Sequence, residues 1–148
     1  MVTTTPYVIT PTPRGALAGA LGSLIYLPVM LLLQPTPFAK LVFAVFPGVP
    51  QTAREFLGWL IHVALLVLMA VALANLLQRV HEWRPLLVAG VGWSFLTGWV
   101  VLFGAAMMGL SLPLFGWVLE SIAHMINGLV VGATLAYLHR LLPTTSEA

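Results

Sequence analysis

The chain has 148 residues, 60% of them hydrophobic and 7% charged, with a formal net charge of +2 and no cysteine. A soluble domain carries about 25% charged residues, so this surface is too poor in charge to be solvated by water, and a mean hydropathy of +1.03 points to lipid instead. Scattered cations without a basic stripe argue against nucleic acid as a partner, and the lack of cysteine excludes disulfides, thiolate nucleophiles, iron–sulfur ligation and cysteine-based zinc sites.

At about 20 apolar residues per crossing, a chain of this length accommodates about four transmembrane helices with short connections. The expected fold is therefore all-α and integral to the membrane: four transmembrane helices, with a short interfacial helix between the first and the second. Residues 1–14, MVTTTPYVITPTPR, are rich in Pro and Thr without a helical period, which predicts an extended or disordered N-terminal arm. Residues 15–142 then form a single transmembrane domain, and 143–148 a C-terminal tail.

The first apolar segment runs from Gly15 to Leu33. It is too long for a signal-peptide core and lacks a small-residue cleavage pattern behind it, so it reads as a retained transmembrane helix. Pro28 predicts a kink in its second half, because proline removes an amide donor and crowds the preceding turn. Gly15 and Gly19 stand at GxxxG spacing, and with Gly22 they make a face that a second helix backbone can approach closely.

Between flanking prolines, Phe38–Phe46 is apolar but for Lys40 and too short to span. It is expected to lie at the interface or to dip partly in, with Lys40 reaching the headgroups. The second, third and fourth transmembrane helices are expected at about Phe56–Leu77, Leu86–Met108 and Leu114–Leu138, the last two joined by a short turn that makes them antiparallel neighbours. Arg14, Arg79, Arg84 and Arg140 on one side against Lys40 and Arg54 on the other place both termini in the cytoplasm by the positive-inside rule.

The last helix carries the most informative pattern. Glu120, His124 and Asn127, with Gly128, fall at i, i+4 and i+7/i+8 on one face, and Gly132 continues it as a packing position. Ionisable groups at membrane depth cost several kcal/mol unless paired, neutralised or wetted, roughly 2.5–3.5 kcal/mol on insertion scales. His62 on the second helix lies in the same half of the membrane, and Ser94, Thr97 and Gly98 share a face of the third.

This polar centre has three readings. In the first, Glu120 bonds His62 or His124 and fixes helix register, with no cofactor bound. In the second, His62 and His124 are axial ligands of a haem b. In the third, Glu120 and His124 form a proton relay or contact a quinone. A metal held by Glu120, His124 and His62 has too few further ligands in the sequence to be expected, and the common hydrolase and nucleotide-binding motifs are absent.

The Gly/Ala-rich first helix, the Pro-flanked short segment and the run Ala123, His124, Asn127, Gly128, Gly132, Ala136, Tyr137 resemble uncharacterised small four-helix membrane proteins of bacteria and archaea. That resemblance implies a fold and carries no activity or catalytic residue with it. Proteins similar in size and hydrophobicity serve as small subunits of respiratory or photosynthetic assemblies. The expected role is a non-catalytic accessory subunit of a larger membrane complex handling electrons or protons, with lipid and larger membrane subunits as partners, in a prokaryotic inner membrane. A haem or quinone subunit and a homo-oligomeric channel or transporter are the alternatives.

Overall fold

The computed structural model describes residues 10–32, 37–110 and 112–141, so the expected C-terminal tail and residues 1–9 of the expected arm lie outside it. All regular structure among the described residues is helical: α1 (Pro11–Leu24), α2 (Tyr26–Leu32), α3 (Pro37–Val45), α4 (Gln51–Leu76), α5 (Trp83–Met107) and α6 (Leu114–Leu141). Three of these, α4, α5 and α6, are long and apolar enough to cross a membrane.

The segment expected to be one first helix is divided at Ile25 into α1 and α2. Pro28 has no amide hydrogen to give to the Leu24 carbonyl, and its ring crowds that same group. The Ile25 amide instead closes a tight turn onto the Gly22 carbonyl at 3.1 Å. The break therefore falls one turn ahead of the proline, at the carbonyl that loses its partner.

The start of α1 corrects the expected arm, because residues 11–14 are its first turn. Pro11 at the head of the helix has no intrahelical bond to lose and its φ is already helical. Arg14 is in consequence 1% exposed, a buried group and not a solvated flanking charge. The spans also extend past their expected ends, α4 to Gln51, α5 to Trp83 and α6 to Leu141. Apolar periodicity marks the lipid-buried stretch, whereas the hydrogen-bonded helix continues into the polar turn beyond it. At the end of α5, Gly109 takes φ +73°, and the bonds Gly109 N–H to Ala106 O (3.0 Å) and Leu110 N–H to Ala105 O (2.9 Å) make a Schellman stop.

α3 has a definite direction. Ala39 lies over Gly58, where a Cβ would stand 2.6 Å from the Ala39 nitrogen. The Phe38 ring sits 5.0 Å from His62, and the Arg54 guanidinium lies 4.4 Å over the Phe43 ring. Pairing 38 with 62, 39 with 58 and 43 with 54 sets α3 antiparallel along the first half of α4, so it reaches as deep as His62.

Packing among the long helices follows small residues at four-residue spacing. α5 buries Leu86, Gly90, Ser94, Gly98 and Leu102 against α6, where Gly128 and Gly132 lie under Gly90. A Cβ on Gly132 would stand 2.5 Å from the Leu86 carbonyl oxygen, so the two backbones touch. On the other side α1 lies on α4: a Cβ on Gly15 would stand 2.5 Å from Val71 Cα, and one on Gly19 2.7 Å from Val67 Cα. α6 is thus held between α5 and α1, and α1 between α6 and α4, while α4 and α5 scarcely meet directly.

The glycines make opposite predictions. Gly90 has no room for a methyl group, whereas Gly92, two residues on and round the other side of the helix, has nothing within 4 Å. G90A should destabilise the protein by about 1–3 kcal/mol through overpacking, and G92A should be neutral or stabilising by up to about 1 kcal/mol through helix propensity. Reversible unfolding of both variants in mild detergent checks the contrast; equal effects would contradict the packing.

Candidate functional site

The site begins from α6, where the i, i+4 spacing puts Glu120 and His124 on one inward face with Asn127 beside them. Glu120 is 3% exposed, His124 4% and Asn127 2%, and His62 on α4 is 6% exposed. His124 Nε2 stands 4.0 Å from Glu120 Oε2. The His62 and His124 rings lie 5.9 Å apart at 25° to one another. Each of His62, Glu120 and His124 offers a ligand atom, and these atoms all lie within 4.8 Å of one another.

Two neighbours hold the rings in place. Gly98 of α5 lies directly on the His124 ring, leaving no space for even a Cβ. Phe38 of α3 covers His62 at an interplanar angle of 54°. One imidazole is therefore positioned by the α5–α6 contact and the other by the α3–α4 contact.

One helical turn further along α6, the Asn127 amide donates to Ser94 Oγ at 3.1 Å, a buried side-chain bond between α6 and α5. Asn127 Oδ1 accepts no hydrogen bond among the described residues and faces Gly22 of α1. Asn127 thus joins the three-helix contact and does not share the ligand atoms of the cluster. Gly15, Gly19, Gly22, Gly128 and Gly132 all lie at helix crossings, with Gly22 abutting Asn127 and Val131.

Because α4 and α5 are held apart, a cleft of about 200 Å³ opens between them, its lining including His62, His124, Leu65, Met69, Leu96 and Val100. Leu96 and Val100 are among the most exposed apolar residues of α5, so the mouth faces the surface that lipid would cover. Across the cleft the Trp93 indole N–H donates to the Met69 carbonyl at 2.9 Å, tying the two helices together. The Thr97 hydroxyl, also in the wall, donates to the Trp93 carbonyl at 2.9 Å.

Phe38, Met69 and Leu96 are site residues that sequence reasoning misses. His62, Leu65, Leu66 and Met69 share one stripe of α4 by their spacing, which was a usable signal. Phe38 carried none, since its contact depends on how a short helix folds back. The remaining histidines, His81 and His139, meet edge to face at 5.5 Å near the far ends of α4 and α6, away from this cluster.

No family model, curated protein or solved structure matches this chain, so similarity assigns it no function. The energetic role of the Asn127–Ser94 bond is measurable. A double-mutant cycle with N127A and S94A should give a coupling of about 0.6–1.7 kcal/mol, the range for hydrogen bonds between membrane helices; additive effects would show that the bond does not contribute.

Proposed function

We propose that this protein is a small accessory subunit of a larger membrane complex that handles electrons or protons, and that it holds the ring of a quinone-class lipid in the cleft between α4 and α5. The observation that carries this reading is the cleft itself: apolar walls, a mouth on the lipid-facing side, and two buried histidines in its lining. An isoprenoid tail would leave between the helices into the bilayer. A ring carbonyl would meet His62 or His124, and a neutral imidazole carries an N–H that can donate to such an oxygen. Glu120, 4.0 Å behind His124, is the next group in a proton path.

In this reading the first crossing is made by α1 and α2 together, which at about 1.5 Å per residue cover about 33 Å against about 30 Å of hydrocarbon. With α4, α5 and α6 this gives four crossings, and α3 enters from one interface without crossing. With Arg14 buried, Arg79, Arg84 and Arg140 against Lys40 and Arg54 still favour both termini in the cytoplasm by the positive-inside rule, in keeping with a prokaryotic inner membrane.

Two alternatives fit the geometry less well. A haem b between His62 and His124 needs a slot for the whole macrocycle, whereas the cleft of about 200 Å³ is little larger than the roughly 150 Å³ cavity that admits one benzene. A channel built between copies would need its polar groups on an outer face, but Glu120, His124 and Asn127 all turn inward against other helices of the same chain.

Trp93 in the cleft wall supplies the assay, because a bound quinone ring quenches indole fluorescence. Titration of the purified protein with a short-tailed ubiquinone or menaquinone analogue should give saturable quenching, and L96W, which fills the cleft mouth, should weaken binding at least about tenfold, a cost of about 1.4 kcal/mol. Quenching that does not saturate, or that L96W leaves unchanged, would contradict the site.

A further inference from the structure

We infer that His62, Glu120 and His124 form a binding site for a divalent first-row transition metal, zinc or ferrous iron in class, with an open coordination position facing the α4–α5 cleft. The composition of the cluster is two imidazoles and one carboxylate, the donor set of catalytic zinc sites and of mononuclear non-haem iron sites. The i, i+4 pair on α6 and the single histidine on α4 bring three donors from two helices to one buried point, with all ligand atoms within 4.8 Å of one another.

Donors about 2.0–2.1 Å from a tetrahedral ion stand about 3.3 Å apart. The 4.0 Å between His124 Nε2 and Glu120 Oε2 exceeds that by about 0.7 Å, a gap that rotation of the Glu120 side chain would close. The rings are also held before any ion arrives, His124 by the backbone at Gly98 and His62 by Phe38. Such prior orientation is what supporting residues provide in metal sites.

Three protein ligands leave a position unfilled, and the space beside both histidines is the cleft. An oxygen-bearing head group entering from the lipid side would reach the ion there. The metal proposal does not depend on the quinone reading, because metal binding is measured with the cleft empty; failure of one leaves the other standing.

The test uses the full chain in mild detergent, purified through a tag without histidine, stripped with chelator and reloaded with Zn²⁺ or Co²⁺. Elemental analysis should give metal stoichiometric with the chain, and the Co²⁺ form should show visible d–d bands of low coordination number. H62Q, E120Q and H124Q should each lower affinity at least about tenfold, whereas H81N/H139N, which removes the distant histidine pair, should leave loading unchanged. Circular dichroism identifies any variant that does not fold, and the unsubstituted protein decides the matter without them. A folded protein that binds neither ion, or loading lost in H81N/H139N and kept in the three site variants, overturns the proposal.

Discussion

Contact between the backbones of α5 and α6, made possible by Gly90, Gly128 and Gly132, is the constraint from which the rest of the structure follows. Between helices in lipid there is no hydrophobic gain from association, so close packing of small residues and buried hydrogen bonds must supply the attraction. The contact fixes the rotation of α6, and that rotation turns Glu120, His124 and Asn127 inward. The same close approach continues to Gly98, which rests on the His124 ring. Packing and site geometry are in this sense one arrangement read at two levels of the same helix pair.

A second close contact, α1 on α4 at Gly15 and Gly19, positions the other half of the cluster. It places α4 beside α1, not beside α5, and α3 then lies along α4 to cover His62. The separation of α4 from α5 that results is bridged by the Trp93–Met69 hydrogen bond and leaves the apolar cleft beside it. A polar cluster enclosed on every side would serve register alone. Here two of its members, His62 and His124, line the cleft, and that contact is the physical basis for the proposal that the cluster binds a ligand.

Much of this was legible in the sequence wherever local periodicity carried it. The apolar runs that became α4, α5 and α6 are long and uninterrupted, and the i, i+4, i+7 face of Glu120, His124 and Asn127 follows from helical spacing alone. A place for His62 in the same half of the membrane as Glu120 and His124 followed from counting residues along two helices. What could not be read depends on contacts distant in sequence. Arg14 looked like a flanking charge because nothing local shows that α1 begins at Pro11 and draws it inside. Pro28 predicted a distortion, but the division into two helices at Ile25 reflects which carbonyl loses its donor. The direction of α3 and the existence of the cleft arise from the order in which helices pack, which periodicity does not encode. The convergence of His62, Glu120 and His124 is equally hidden in the sequence, because only the folded arrangement of α4 and α6 brings their ligand atoms within 4.8 Å of one another.

The central claim is that the buried His62–Glu120–His124 cluster is retained for ligand binding and not for stability. Replacing a buried polar cluster by apolar side chains of similar volume is often neutral or stabilising, and sites kept for activity commonly cost stability. The most direct measurement is therefore the unfolding free energy, in mild detergent, of the triple variant H62L/E120M/H124L against the unsubstituted protein. The account predicts a variant at least as stable as the original. A loss of more than about 3 kcal/mol, as large as the cost of breaking a buried pair, would show instead that the cluster is retained to hold the helices together.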